Sequence, residues 1–420
     1  MLQFKDVCVS VSSGFKVWNM KKVVILGSTG SIGEHALNIV RSLPGHFEVV
    51  GLAAATHGVR VLEQATEFGV RHVTLMDPAA ATEIRMCAPA TVTVSEGNDG
   101  LCQLASLPEA DLVVCAIVGM AALKPVLAAI SAGHDIAIAT KEVLVAAGAL
   151  ICRECTKKGV NLLPIDSEHS ALFQALHDSG GVPHCVRYRN PVSAERYVEK
   201  TVEKLILTAS GGPFFGHPSI DFSAVTVEQT LNHPRWRMGP KVTVDSATMM
   251  NKGLEILEAR WLFELPVSQI DVWVHPESIV HSLVAFTDGA QIAQLGVPDM
   301  RVPIQYAMTW PERIGNSTLP RLDLTKTGSL HFSEPDIKRF PCLRLAREAA
   351  AAEGLAPTVM NAANEVAVAA FLEGRIRLPG IWECLEDVLK DCPSASAVPE
   401  LDEILGADAW ARRRAEAIIA

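Results

Sequence analysis

Residues 22–27 form an apolar run of strand length that ends in a glycine-rich turn, Gly27-Ser-Thr-Gly30-Ser-Ile-Gly33. A helical pattern follows, carried by Ile32, Ala36, Leu37, Ile39 and Val40 and closed by Pro44-Gly45. Strand, tight turn and helix in that order constrain this chain more than any other feature. Glycines at such a turn let backbone N–H groups at a helix N-terminus come close to a pyrophosphate. The G-x-x-G-x-x-G spacing is a variant of the usual dinucleotide fingerprint, weak alone and stronger in this context. Apolar strands are predicted again at 47–54, 70–76, 111–118, 135–140 and 160–165, with helical stretches between them, 59–68 included. Strands alternating with helices imply a parallel sheet covered on both faces. The expected fold is α/β, with an N-terminal doubly wound, Rossmann-like, dinucleotide-binding domain over residues 20–166.

The end of the second strand indicates which dinucleotide. An NAD site usually carries an acid there for the ribose hydroxyls, and an acid would repel a 2′-phosphate. This chain reads Thr56-His57-Gly58-Val59-Arg60, with no acid before Glu63. NADPH is therefore expected, with Thr56, His57 and Arg60 as candidates for the 2′-phosphate; for His57 or Arg60 alone, a solvated loop is an equally open reading.

The remainder is organised differently. Residues 204–209, 241–244, 272–274 and 291–295 read as strands and 250–263 as a helix, giving a central α+β catalytic domain over 167–310. Residues 311–336, with several Pro, Gly and Ser, read as a linker. Residues 337–420 read as a C-terminal helical bundle: Pro341 suits a first helical turn, Gly354 a stop, Pro357 a start and Gly374 a close, with further helices near 380–391 and 400–419. Residues 1–19 have no period and read as a non-native or disordered extension, with Met20 as the natural start. Mass spectrometry finding a native N-terminus at Met1 or Leu2 would remove that reading.

A formal charge of −10 over 420 residues argues against a nucleic-acid binder, which would need a basic face. The strongest apolar run, 112–123, is too short to span a bilayer, and the first residues do not read as an export signal. A cytoplasmic protein with no nucleic-acid or membrane partner is expected. The ten cysteines are scattered; Cys152-x-x-Cys155 has no companion pair and reads as packing or surface thiols rather than a zinc or redox site.

Asp166 and Glu168 follow the strand at 160–165. On extended chain, carboxylates at i and i+2 point to one side, so the two can converge on a cation. Glu255 is a third candidate, sharing a helix face with Asn251. Oxygen ligands suit Mg²⁺ or Mn²⁺ rather than structural zinc, with Co²⁺ also admissible. From spacing alone a solvated acidic loop stays open. Ser210-Gly211-Gly212, Ser246 and the Asn251-Lys252 pair are candidates for a phosphate, with turn chemistry and helix capping as the plainer readings. His233-Pro-Arg-Trp236-Arg-Met-Gly239 combines rings, cations and glycine like a lid.

These strings resemble the 1-deoxy-D-xylulose 5-phosphate reductoisomerase family, from Met20 to the end of the chain. The resemblance rests on GSTGSIG (27–33), AIVG (116–119), TKE (140–142), LPIDSEHSA (163–171), SGGPF (210–214), HPRWRMG (233–239), VDSATMMNKGLE (244–255), HPESIVHS (275–282) and NAANEVAVAAF (361–371). It implies NADPH contacts at Thr29, Gly30, Ser31, Ile32, Thr140, Glu142 and Gly239. It implies Asp166, Glu168 and Glu255 as metal ligands, and Lys141, Ser167 and Glu168 at the backbone oxygens of a small sugar phosphate. Ser210, Ser246, Asn251 and Lys252 would hold the phosphate end, His233 and Trp236 would belong to the closing loop, and His281 matches a further site histidine. A homodimer is a family implication only. The implied chemistry is a retro-aldol cleavage and re-addition, then reduction of a branched aldehyde to 2-C-methyl-D-erythritol 4-phosphate.

Thr140 departs from the asparagine common in the family, and Thr56-His57 from its usual Lys or Asn. Two rivals are a plain NADP-linked dehydrogenase, insensitive to EDTA, and a non-catalytic cofactor sensor that would tolerate loss of Lys141 and Glu168.

Overall fold

The computed structural model describes residues 20–178, 197–235 and 238–420. The extension at 1–19 and Trp236 of the predicted lid lie outside them. Seven strands form the first sheet: β1 Lys21–Leu26, β2 Phe47–Ala54, β3 His72–Leu75, β4 Thr93–Glu96, β5 Leu112–Cys115, β6 Asp135–Ile138 and β7 Leu162–Pro164. Their order is β4-β3-β2-β1-β5-β6-β7 and every pairing is parallel. The order reverses at β1, so a crevice opens where β1 and β5 end, the place where doubly wound sheets bind ligands. Gly27 turns the chain there with φ +88°; a Cβ on it would lie 2.5 Å from the Ala116 carbonyl oxygen. Only glycine fits that turn.

The second sheet holds β8 Val202–Ala209, β9 Ile270–Val274, β10 Val280–Phe286 and β11 Gln291–Leu295, in the order β11-β10-β8-β9. Its β10 pairings are antiparallel and β8–β9 is parallel. Helices Pro341–Ala352, Ala356–Leu372, Pro379–Lys390 and Leu401–Ile419 complete the chain. One apolar core runs through all three regions, from Val23 of β1 through Leu257 to Ala415. Polar pins add to it: Thr358 Oγ1 donates to the Ala146 carbonyl at 2.8 Å, and Lys21 Nζ donates to Met308 O and Trp310 O at 2.8 and 3.2 Å. The helix Arg301–Thr309, at the end of the predicted central region, is thus bonded to β1 of the first sheet.

Three local expectations change. Residues 241–244 are not a strand but part of the helix Pro240–Thr248. Their alternating β-branched residues imitate a strand, yet Pro240 occupies the first helical turn, and Lys241 reaches Asp245 one turn on at 2.8 Å. The chain is extended only to Pro164, and Ser167–Asp178 is helical. Asp166 and Glu168 therefore meet across a strand-to-helix junction and not along a strand. The third change is two strands that sequence pattern did not resolve, β4 and β10. Cys152 and Cys155 are both buried. Among the described residues no helix is long and apolar enough to cross a membrane.

Candidate active site and metal centre

Asp166 follows β7 and starts the helix Ser167–Asp178: its carbonyl accepts from Ser170 N–H at 2.8 Å, and its Oδ1 from Ser167 N–H at 3.0 Å. Glu168 occupies the first turn of that helix. Glu255 comes from the helix Met250–Phe263 and is 1% exposed. The three bring carboxylate oxygens within 4.8 Å of one another. Two lysines hold them together. Lys141, first residue of the helix Lys141–Lys158 after β6, puts Nζ 2.5 Å from Asp166 Oδ2, 2.9 Å from Asn251 Oδ1 and 3.2 Å from Glu255 Oε1. Lys252 Nζ lies 2.8 Å from Glu168 Oε1 and touches Glu255 Oε2. Ser167 Oγ donates to Glu168 at 2.5 Å, and Asn251 Nδ2 to Glu255 at 2.5 Å.

Burial raises the Glu255 carboxyl to about 7, and the Glu168 charge adds to that against Lys141 and Lys252. Burial acts on Glu168 too, but the Lys252 ammonium outweighs it and holds that carboxylate below its usual range. Lys141 loses charge stability to burial, yet Asp166 and Glu255 keep its pKa well above the ordinary value. Three carboxylates against two ammoniums leave a net negative, all-oxygen ligand set. That set fits one hard divalent cation such as Mg²⁺. A second group, Asp166, His169 and Glu258, also brings ligand atoms within 4.8 Å of one another.

This cluster lies in a cleft of about 920 Å³ lined also by Ser31, Ile32, Ser210, His233, Gly239, Ser246 and His281. The Ser210-Gly211-Gly212 turn forms one wall. Gly212 has φ +66°, and a Cβ there would stand 2.6 Å from the Ser246 carbonyl oxygen, so glycine lets the two candidate phosphate segments touch. His233 Nε2 lies 3.1 Å from Ser210 Oγ, linking the lid segment to that wall. Burial lowers the pKa of His233 and of His281, the latter opposed by Glu168.

On the cofactor side, Ser31 and Ile32 open the helix Ser31–Ser42 with its N-terminus at the cleft. Thr29 and Gly30 sit in the turn just before it. Thr140 is buried, its hydroxyl donating to the Ile117 carbonyl. Glu142 is buried in an ion pair with Lys241 at 3.0 Å and is outside the cleft lining. His57 is exposed at the head of the helix Gly58–Phe68, also outside it. Arg60 is engaged by Glu34 and Glu63 at 2.7 and 2.9 Å, so of the three 2′-phosphate candidates Thr56 and His57 remain the exposed pair. Sequence reasoning did not single out Asp299, Met300 and Arg301, which line the cleft beside the predicted residues. Glu258 was also passed over; its signal was its i+3 relation to Glu255 on a helix otherwise rich in apolar residues.

A family model described as 1-deoxy-D-xylulose 5-phosphate reductoisomerase matches residues 23–148, and two models of that family's C-terminal domains match 162–263 and 295–414. The 1-deoxy-D-xylulose 5-phosphate reductoisomerase of Moorella thermoacetica is 47% identical over 399 residues, covering 95% of this chain and 98% of that protein. The solved enzyme of that name from Zymomonas mobilis, in complex with NADPH, is 36% identical with a TM-score of 0.85, covering 96% of this chain and 99% of its own. A DOX-P reductoisomerase structure in complex with NADPH, fosmidomycin and magnesium is 38% identical with a TM-score of 0.88, covering 95% and 98%. The chain belongs to the 1-deoxy-D-xylulose 5-phosphate reductoisomerase family.

Proposed function

We propose that the chain converts 1-deoxy-D-xylulose 5-phosphate to 2-C-methyl-D-erythritol 4-phosphate, using NADPH and a divalent metal, in non-mevalonate isoprenoid synthesis. The observation that carries this reading is the placement of three carboxylates within 4.8 Å of one another in a cleft that the glycine-turn helix also lines. A plain dehydrogenase has no use for that cluster.

Asp166, Glu168 and Glu255 would hold the cation, Mg²⁺, Mn²⁺ or Co²⁺, which when bound supplies Lewis-acid stabilisation of oxyanion charge. NADPH, when bound, would supply the hydride for the reductive half. The chain's own residues bind and orient. Lys141, kept charged by its carboxylate neighbours, lies with Ser167 and Glu168 where the substrate's backbone oxygens would sit. Ser210, Ser246, Asn251 and Lys252 would grip the phosphate, and binding energy at that remote end aligns the reacting carbons. His233 and Trp236 would close over the cleft and exclude water, with His281 a further histidine of the site. Thr29, Gly30, Ser31 and Ile32 would carry the cofactor phosphates on the helix N-terminus. Thr140 and Gly239 would flank the cofactor, with His57 near its 2′-phosphate, and Glu142 would act from behind through Lys241.

A homodimer is proposed as well. It is supported by β11, an edge strand among the described residues, with Ile292 40% exposed and with Ala293 and Leu295 packed against a small separate apolar cluster of Ile206, Val280, Leu283 and Ala285. The cytoplasm, where NADPH and sugar phosphates are held, is the proposed compartment.

The test mixes purified protein, deoxyxylulose phosphate, NADPH and Mn²⁺ and follows NADPH absorbance. Consumption that stops with EDTA is expected, with a loss of at least about 10–100-fold for Glu255→Gln at limiting metal. Undiminished turnover in EDTA, or in that variant, would refute the assignment.

A further inference from the structure

Glu258 lies one turn beyond Glu255 on the helix Met250–Phe263, is 0% exposed, and is outside the cleft lining. Neither of its carboxyl oxygens receives a hydrogen bond from a described residue. His169, equally buried, is its neighbour, with Nδ1 3.3 Å from Glu258 Oε2 and 4.0 Å from Asp166 Oδ2. The other ring nitrogen, Nε2, is 2.9 Å from the backbone carbonyl oxygen of Glu255.

The protons in this group follow from what each atom is able to do. A carbonyl oxygen only accepts, so Nε2 carries a proton, and in a neutral ring Nδ1 is then the acceptor. The atom facing Nδ1 must supply the proton for that contact. An ionised carboxylate sealed from water and given no donor would carry a heavy desolvation cost. A protonated Glu258 that donates to Nδ1 removes both problems.

The consequence is mechanical. His169 adjoins Glu168 on the helix that starts at Asp166, whereas Glu255 and Glu258 share the other helix. One imidazole therefore ties the element bearing two ligands to the element bearing the third, at the third ligand's own carbonyl. We propose that Glu258 is a positioning residue which, through His169, sets the spacing of Asp166 and Glu168 against Glu255 before a cation arrives. This rests on the metal reading given above.

The experiment measures Mn²⁺ binding directly, from the electron paramagnetic resonance of free Mn²⁺, for the full chain, Glu258→Gln and Glu258→Met. NADPH binding by nicotinamide fluorescence serves as the check on folding. The amide of Glu258→Gln still donates to Nδ1, so its Mn²⁺ affinity should stay within about threefold of the parent. Glu258→Met fills the same space without a donor, and its affinity should fall about 10–100-fold, the range for outer-shell partners of metal ligands, with NADPH binding unchanged. A Glu258→Met protein that binds Mn²⁺ like the parent overturns the proposal. So does Glu258→Gln losing tenfold or more while still binding NADPH, and that arm decides alone if Glu258→Met does not fold. A parent chain that binds no Mn²⁺ refutes the metal reading itself, which separates that failure from this one.

Discussion

Glu255 couples the metal to pH through its position among other charges. Burial, and then the Glu168 charge, push its carboxyl up to about 7 from an ordinary 4.5. The folded chain thus keeps a proton there that the unfolded chain releases near 4.5. The stability this group contributes is full below about pH 4.5 and lost as pH rises through about 7. A cation needs the bare carboxylate, so it competes with that proton and its affinity falls up to about tenfold for each pH unit below 7. The predicted outcome is a larger Mg²⁺-induced rise in thermal midpoint at pH 8 than at pH 6. Equal or reversed shifts would show that Glu255 is not a ligand. At this scale most of the site was legible. Acids in LPIDSEHSA and VDSATMMNKGLE are unusual beside so much apolar sequence, and family resemblance assigned them. Sequence could not show that Arg60 is taken up by Glu34, or that Glu142 faces Lys241, because those pairs form between segments far apart in the chain.

At the scale of elements, the helix Pro240–Thr248 shows why local pattern failed once. Val242, Thr243 and Val244 alternate as a strand would, but tertiary partners decide the outcome. Lys241 reaches Glu142 on the helix Lys141–Lys158 and Asp245 on its own helix, and Asp245 accepts from Asn364 of the helix Ala356–Leu372 at 2.8 Å. One ammonium thus pins three elements behind the cleft. Lys241→Met would leave two buried carboxylates without their cation and should cost about 3 kcal/mol, measured by denaturant unfolding. Glu142→Gln should cost less, since Lys241 keeps Asp245. A neutral Lys241→Met would mean the network carries no stability. Elsewhere the elements were readable where hydrophobic period and punctuation agreed: Gly27 at its turn, Pro341 and Pro357 at helix starts. β4 and β10 escaped. The short β4, exposed at both ends and half-buried between, has no clean alternation, and β10 is buried along nearly its whole length, so it lacks a polar face to mark its period.

At the scale of the molecule, the doubly wound sheet was visible from strand–helix alternation, whereas the order β11-β10-β8-β9 was not, because register and neighbour choice depend on contacts far apart in sequence. Among the described residues that second sheet ends on β11 with no strand paired to its outer edge. Ile292→Lys should place a charge on it and convert a dimer to a monomer in analytical ultracentrifugation. An unchanged dimer would put the interface elsewhere. The cleft lies where three regions sharing one core meet, so its lining comes from the junction after β7, from the Met250–Phe263 helix and from the glycine-turn helix at once. The cleft is proposed to bind one divalent cation between Asp166, Glu168 and Glu255. Anomalous diffraction from crystals grown with Mn²⁺ measures this directly. A single strong peak about 2.1 Å from oxygens of all three carboxylates is the result this account predicts. A peak held by other residues, or none in protein that turns over with Mn²⁺, would contradict it.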